Sequence, residues 1–183
     1  MWITITVTAA AAAFGSFAWG IRGHFRVQGS LPWKMRGLSL ASAAAFLLFA
    51  MLIFHQGVAP LAALTSTILS VAATKLFWWA VRTTRNRPPA VAYTLEIPTM
   101  IHEGGPYRYV RHPFYLSYSL CWIGTAIAAG WPQWCACALL VAWYYSTAQS
   151  EEENFAQSPM ARAYAEYSSK TGMIFPKLAG RES

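Results

Sequence analysis

The sequence predicts an all-α integral membrane protein, a bundle of five transmembrane helices followed by a cytoplasmic amphipathic helix at the C-terminus. Hydrophobic residues make up 56% of the 183-residue chain and charged residues only 11%. This balance is far from that of soluble globular domains. The apolar residues also fall into five runs of 17 to 21 residues, close to what a bilayer core of about 30 Å requires.

The first part of the chain, residues 1–81, contains three of these runs. They cover Met1–Ile21, Leu38–Val58 and Leu61–Val81. A cleaved signal peptide is the alternative for the first run, but such a peptide begins with a basic segment, and residues 1–4 contain no Lys or Arg. We therefore expect all three runs to cross the membrane.

The second part, residues 82–183, begins with a long polar loop over 82–112. Runs four and five, Phe114–Gly130 and Gln133–Gln149, are joined by Gly130-Trp131-Pro132. A link this short and uncharged predicts an antiparallel helical hairpin. Because the two parts are continuous in composition, we expect the whole chain to form a single membrane domain.

The basic residues predict how the protein is oriented. Four Lys or Arg lie between runs one and two, five between runs three and four, and four in the C-terminal tail, whereas the other two loops have none. Cytoplasmic loops are enriched in Lys and Arg, so we expect the N-terminus outside and the C-terminus in the cytoplasm. The same distribution explains the net charge of +7 without a nucleic-acid partner.

A cationic and aromatic segment, residues 104–115, directly precedes the fourth run. Its sequence is Gly-Gly-Pro-Tyr-Arg-Tyr-Val-Arg-His-Pro-Phe-Tyr. Pro113 suits the first turn of a helix, where its missing N–H costs nothing. Arg111 and His112 are therefore expected at a helix N-terminus, whose free N–H groups and positive dipole end attract anions.

The predicted hairpin brings a second charged group to the same place. Trp131, taken as the turn, lies twenty residues from both Arg111 and Glu151, so equal helical rises return Glu151 and Glu152 to the depth of Arg111 and His112. By itself the Arg-His pair is typical of an interfacial anchor, and a run of glutamates is typical of a solvated helix face. Together, in one cytoplasmic pocket, they favour a zwitterionic ligand.

In this order and spacing, three features resemble the superfamily of isoprenylcysteine carboxyl methyltransferases and phospholipid methyltransferases. They are the segment 105–115, the pair Glu151-Glu152 and the repeat of Tyr164 and Tyr167. The resemblance covers roughly residues 95–178. It implies an integral membrane enzyme that uses S-adenosylmethionine, held between the loop before the fourth run and the helix after the fifth.

The chemistry of S-adenosylmethionine gives these residues expected roles. Glu151 and Glu152 would bind its ammonium group through charge-assisted hydrogen bonds, and Arg111, His112 and the helix N-terminus would bind its carboxylate. The expected cofactor-binding residues are Gly105, Pro106, Tyr107, Val110, Arg111, His112, Pro113, Tyr115, Glu151 and Glu152. Arg111 and Glu152 are also the expected catalytic residues. Tyr107, Tyr115 or Val110 would line the adenine pocket, and we expect no metal site.

The methyl acceptor is expected to be lipophilic and to enter from the bilayer, but its class has two interpretations. The first is the carboxylate of a prenylated cysteine, favoured by the long basic loop and the Arg-His-Pro sequence. The second is the head-group amine of phosphatidylethanolamine. A non-catalytic membrane subunit is a further alternative, but it would spread charges along several runs, and only Lys75 lies within one.

Overall fold

Six α-helices and one 3₁₀ turn form the part of the protein that this computed structural model describes, residues 1–27, 29–94 and 98–177. The helices are α1 (Trp2–Gly23), α2 (Trp33–Gln56), α3 (Pro60–Thr84), α4 (Pro113–Ala129), α5 (Trp131–Ala156) and α6 (Ala161–Lys170), and the 3₁₀ turn is Gly105–Arg108. No β-strand occurs in these described residues. The all-α prediction is confirmed over them.

Within the described residues, three helices are long and apolar enough to cross a membrane. They are α1, α2 and α3, with 22, 24 and 25 residues. By contrast, α4 has 17 residues and is about 25 Å long, and α5 carries three glutamates in its last two turns. Large apolar side chains on α2 and α3, such as Leu47 and Leu61, lie exposed on the outside of the bundle. That exposure is expected where lipid is the solvent.

The helix α3 is the central helix, packed against α1 on one side and α4 on the other. Small residues make the α3–α4 contact close: a Cβ atom added to Gly124 would lie 3.2 Å from the carbonyl oxygen of Ser66. Small interface residues are the usual means by which membrane helices approach one another. Nearer the start of α4, Phe17, Phe77 and Phe114 form one aromatic cluster, which fixes the start of α4 against α1 and α3.

The predicted hairpin is present, but its turn is one residue earlier than expected. Gly130 ends α4 and caps α5, so Trp131 is the first residue of α5 and not the turn itself. The φ angle of Gly130 is +80°, a left-handed conformation that glycine adopts without steric cost. The helix α5 then continues unbroken to Ala156 and carries the glutamates beyond the predicted fifth run.

The start of α2 also differs from the prediction. The second run was expected to begin at Leu38, but the helix begins at Trp33, with Pro32 at its N-cap. Lys34 therefore lies in the first helical turn, where its ammonium group lies 5.4 Å from the ring centre of Tyr93. The hydrophobic run marks only the apolar part of a helix that extends into the polar region.

The C-terminal segment is hydrogen-bonded to the cationic segment that precedes α4. The N–H groups of Arg111 and His112 donate to the carbonyl oxygens of Gly172 and Met173, at 2.8 and 3.0 Å. The hydroxyl of Tyr167 donates to the carbonyl oxygen of Tyr107 at 2.6 Å. Tyr167 and its α6 neighbour Tyr164 are both buried. Arg181, counted in the basic tail, lies outside the described residues.

Two adjacent glycines give a direct test of how the 3₁₀ turn is held on α3. Gly105 has a φ of +54°, and a Cβ atom there would collide with the side-chain oxygen of Thr83; at Gly104 the nearest atom would be 3.6 Å away. Gly105→Ala should therefore lower the free energy of unfolding by about 1–3 kcal/mol. Gly104→Ala should lower it by less than about 1 kcal/mol. Denaturant titrations in detergent measure both, and equal losses would contradict the described turn.

Candidate active site

A cavity of about 530 Å³ lies where the N-terminus of α4 meets the last turns of α5 and the helix α6. The loop between α3 and the 3₁₀ turn covers it. Its lining includes, besides aliphatic and proline residues, the side chains of Phe25, Arg26, Arg87, Tyr93, His102, Tyr107, Arg111, His112, Phe114, Tyr115, Tyr118, Glu151, Asn154, Phe155, Tyr164 and Tyr167. Aromatic side chains are thus frequent in the lining, and Arg111, His112 and Glu151 form a charged group at the end where α4 meets α5.

The firmest contact at that end joins Arg111 to Glu152. The Nε and Nη2 atoms of Arg111 donate to the two carboxylate oxygens of Glu152 at 2.7 and 3.0 Å. The Nη1 atom donates to the carbonyl oxygens of Ser168 and Thr171. This side chain is only 9% exposed. Its four hydrogen bonds join the start of α4 to the end of α5 and to the C-terminus of α6.

His112 lies between the two glutamates of α5. Its Nδ1 atom is 3.4 Å from Glu151 Oε2, and its Nε2 atom is 3.3 Å from Glu152 Oε1. The Nε2 contact lacks the alignment of a hydrogen bond, so the attraction there is electrostatic. The ring of His112 also stacks on Tyr115, with ring centres 5.5 Å apart. Both nitrogens therefore face negative charge.

Glu151 is the carboxylate that faces the cavity. Its Oε1 atom accepts a hydrogen bond from the hydroxyl of Tyr115 at 2.7 Å, and its side chain is 33% exposed. Glu152 lies behind it against Arg111 and is absent from the cavity lining. Of the two neighbouring acids, Glu151 therefore has a face that a ligand can reach, whereas Glu152 is taken up by its protein partners.

The covering loop is attached to the bundle through Tyr93. The φ angle of Tyr93 is +65°, a conformation that costs energy in a residue with a side chain. Its hydroxyl accepts a hydrogen bond from Trp143 Nε1 at 2.8 Å and pairs with the hydroxyl of Thr147. Further along, Arg87 Nη1 donates to the sulfur of Met100. These contacts hold the described part of this loop, residues 86–94 and 98–102, at the cavity.

One comparison with known proteins assigns the family. The family model described as Phospholipid methyltransferase matches residues 66–166, which is more than half of the 183 residues. The chain belongs to the phospholipid methyltransferase family. The match begins within α3 and ends within α6, so it contains the whole hairpin and both charged groups. No curated protein matches the chain.

Membership of the phospholipid methyltransferase family implies a methyltransferase, and the three long apolar helices together with the family indicate a membrane protein. The superfamily resemblance noted in the sequence is confirmed by this match. The match starts about thirty residues earlier than the resemblance, which began near residue 95, and it therefore includes most of α3.

The pKa values of the charged cluster follow from its contacts. Burial alone would raise the pKa of Glu152, but the close contact and charge of His112 and the hydrogen bonds and charge of Arg111 outweigh it and lower the pKa to about 2. Burial alone would lower the pKa of His112, but its close contacts with Glu151 and Glu152 and their charges outweigh burial and raise the pKa. The contacts thus favour the protonated ring beside the two carboxylates.

The predicted site residues of this methyltransferase family member divide into two groups. Those that line the cavity are Tyr107, Arg111, His112, Pro113, Tyr115 and Glu151, and those that do not are Gly105, Pro106, Val110 and Glu152. Gly105 approaches α3 instead, and Val110 is 2% exposed and bridged to Gly172. The second group lies behind the cavity wall and supports it.

Several lining residues were not predicted from the sequence. Asn154 lies three residues after Glu151 on α5, hence on the same helix face, and this spacing is a signal that could have identified it. Phe155 stacks on Tyr164 with ring centres 4.4 Å apart. His102 reaches the cavity from the covering loop, and no periodic pattern in that loop could have placed it.

The raised pKa of His112 gives a pH-dependent prediction. Because the folded protein holds this proton more tightly than the unfolded chain, the protonated ring stabilises the fold below the ordinary pKa of 6.5. That stabilisation is lost as the pH rises through the raised pKa. The difference in thermal midpoint between the wild type and His112→Gln should therefore be largest near pH 6 and shrink by about pH 9. A difference that grows with pH would contradict the contacts described.

Proposed function

We propose that this protein transfers the methyl group of S-adenosylmethionine to the head-group amine of a membrane phospholipid. The observation that carries the proposal is the family match across α4 and α5, together with the cluster of His112 and Glu151 at the inner end of the cavity. Methyltransferases of this family use S-adenosylmethionine as methyl donor. The match favours the amine acceptor over the carboxylate acceptor that the sequence suggested first.

The donor set of the cavity fits this cofactor. S-Adenosylmethionine carries an ammonium and a sulfonium cation, a carboxylate and an aromatic base. Glu151 presents a reachable carboxylate for the ammonium group, and the N-terminus of α4 presents N–H groups of Phe114 and Tyr115 that have no acceptor within the helix. The aromatic side chains of Phe155 and Tyr164 offer apolar surface for adenine. When bound, the cofactor would supply an electrophilic methyl group.

Arg111 and Glu152 act, in this proposal, by positioning. Four N–H bonds of Arg111 are directed to Glu152, Ser168 and Thr171, so the guanidinium is committed to protein partners. The pair keeps the wall formed by α4, α5 and α6 in place, and through His112 it orients Glu151. Methyl transfer is a displacement that depends mainly on alignment, so a rigid wall serves the reaction.

The proposal includes the membrane arrangement expected from the sequence. We infer five crossings, with α4 and α5 entering as a hairpin behind the longer α1, α2 and α3, in a single domain over residues 1–183. The N-terminus then lies outside, and the cavity lies with the C-terminus on the cytoplasmic side. The basic residues near the cavity support this orientation, because Arg26 and Arg87 lie in its lining.

A carboxylate acceptor, as in isoprenylcysteine carboxyl methylation, is the second candidate. Arg87 carries a positive charge into the cavity lining, and a guanidinium is well suited to bind a carboxylate. Such an acceptor is already ionised at neutral pH and needs no base. The two candidates therefore differ in whether the acceptor must lose a proton before it attacks the methyl group.

The exposed face of Glu151 leads to a prediction about cofactor binding. Glu151→Gln should weaken S-adenosylmethionine binding by roughly 10-fold or more, because the ammonium loses a charged acceptor worth at least about 1.5 kcal/mol. Glu153→Gln is the matched control, since Glu153 is exposed on the same helix outside the cavity lining. Equilibrium binding of the labelled cofactor to purified protein in detergent measures both. Equal affinities of the two variants for the cofactor would show that Glu151 does not bind its ammonium group.

The acceptor class can be tested by direct labelling. Purified protein in vesicles containing phosphatidylethanolamine, or supplied with farnesylcysteine, is incubated with methyl-labelled S-adenosylmethionine, and the lipid and cysteine fractions are separated. We expect label in the phospholipid. Label in farnesylcysteine alone would replace the first candidate by the second, and cofactor binding without label in either acceptor would contradict both.

A further inference from the structure

An amine acceptor must be deprotonated before it can attack, and the inner charged cluster is poorly suited to this task. His112 lies between two carboxylates, whose charges raise its pKa and favour its protonated form. Glu152 forms a bidentate ion pair with Arg111. Glu151 accepts a hydrogen bond from Tyr115 and faces His112. A group that takes the proton should be neutral at working pH, unpaired with a cation or anion, and in contact with the cavity.

His102 meets these conditions. It lines the cavity from the covering loop, and its ring lies 5.4 Å from the ring of Tyr107. Burial lowers the pKa of His102, and the main-chain carbonyl of Arg87 only partly offsets this effect. A neutral imidazole that directs one N–H to a carbonyl presents its other nitrogen as an acceptor.

His24 does not compete with His102 for this role. His24 contacts the hydroxyl of Thr84 through Nε2 at 2.8 Å, and that hydroxyl already donates its proton to Ala80. His24 is therefore the donor in the pair. Its ring is 8% exposed and is absent from the cavity lining, so it lies behind the wall that Phe114 and Phe25 form.

We propose that His102, which lines the cavity from the covering loop, is the proton acceptor for the amine substrate. This inference rests on the proposed function. The head group enters as an ammonium ion, and one N–H proton passes to the free nitrogen of His102. The freed lone pair of the amine then forms the N–CH₃ bond while the S–CH₃ bond breaks and its electron pair stays on sulfur. The imidazolium returns its proton to water, so each transfer releases one proton.

The other ionisable groups around the cavity leave this role to His102. Those near its ring are His24 and Tyr107, and Arg87 and Tyr93 line the cavity from the same loop. Those that face the cavity from other elements are Arg26, Arg111, His112, Tyr115, Tyr118, Glu151, Tyr164 and Tyr167. Burial raises the pKa of Tyr107, Tyr164 and Tyr167, so these phenols stay protonated. Glu151 remains as the counter-charge for cations.

The test compares pH profiles of the wild type and His102→Asn with phosphatidylethanolamine vesicles. At pH 7 we expect kcat to fall by about 10²- to 10⁴-fold in the variant, the usual contribution of a general base. The loss should shrink as the pH approaches about 10, where a primary amine deprotonates in water. A purely structural role would lower the rate equally at every pH, and that outcome would overturn the proposal.

Two further measurements separate this proposal from the proposed function. Equilibrium binding of labelled S-adenosylmethionine should be unchanged within about 2-fold in His102→Asn, and a histidine resonance that the variant lacks should titrate below pH 6.5 in ¹³C-labelled protein. His55→Asn, on the exposed far end of α2, is the control and should keep the wild-type profile. If the wild type methylates phosphatidylethanolamine but His102→Asn keeps its profile, only the role of His102 is wrong. If the wild type labels no amine, the proposed function fails as well.

Discussion

The structure around the cavity depends on one bidentate ion pair, between Arg111 and Glu152. These residues are 41 apart in the sequence, and each belongs to a different arm of the hairpin. The same guanidinium also binds two carbonyl oxygens at the end of α6. Removing either partner would leave a mostly buried charge without compensation, which is costly in a low-dielectric site. Three chain segments are therefore held in register by one side chain.

This pair also explains why adjacent acids have different surroundings. Successive helix residues are about 100° apart, so the side chains of Glu151 and Glu152 leave the helix in different directions. Glu152 faces the arginine, and Glu151 faces Tyr115 and the cavity. His112 reaches both, because it lies between them at the helix N-terminus. The arrangement fixes one acid with counter-charges and leaves the other with a surface that a cation can approach.

The sequence predicted the helices, the hairpin and the meeting of the two charged groups, because these follow from hydrophobic run lengths and from helical rise. It located the hairpin turn at Trp131 because length alone cannot distinguish neighbouring turn residues, whereas the φ of +80° at Gly130 requires the glycine. The roles of Gly105 and Val110 depend on which side of the wall each residue faces. Tertiary contacts with Thr83 and Gly172 decide this, and the hydrophobic periodicity of the sequence does not predict such contacts.

In the proposed reaction the cavity must hold two cations, because S-adenosylmethionine carries a sulfonium and the acceptor enters as an ammonium. At a separation of 4 Å their repulsion would amount to about 4 kcal/mol at an effective dielectric constant of 20. The carboxylates of Glu151 and Glu152 already face Arg111 and His112, so they would leave a second cation uncompensated. A neutral imidazole at His102 would remove that cation by taking its proton. Deprotonation then both frees the lone pair and lets the acceptor approach the methyl group.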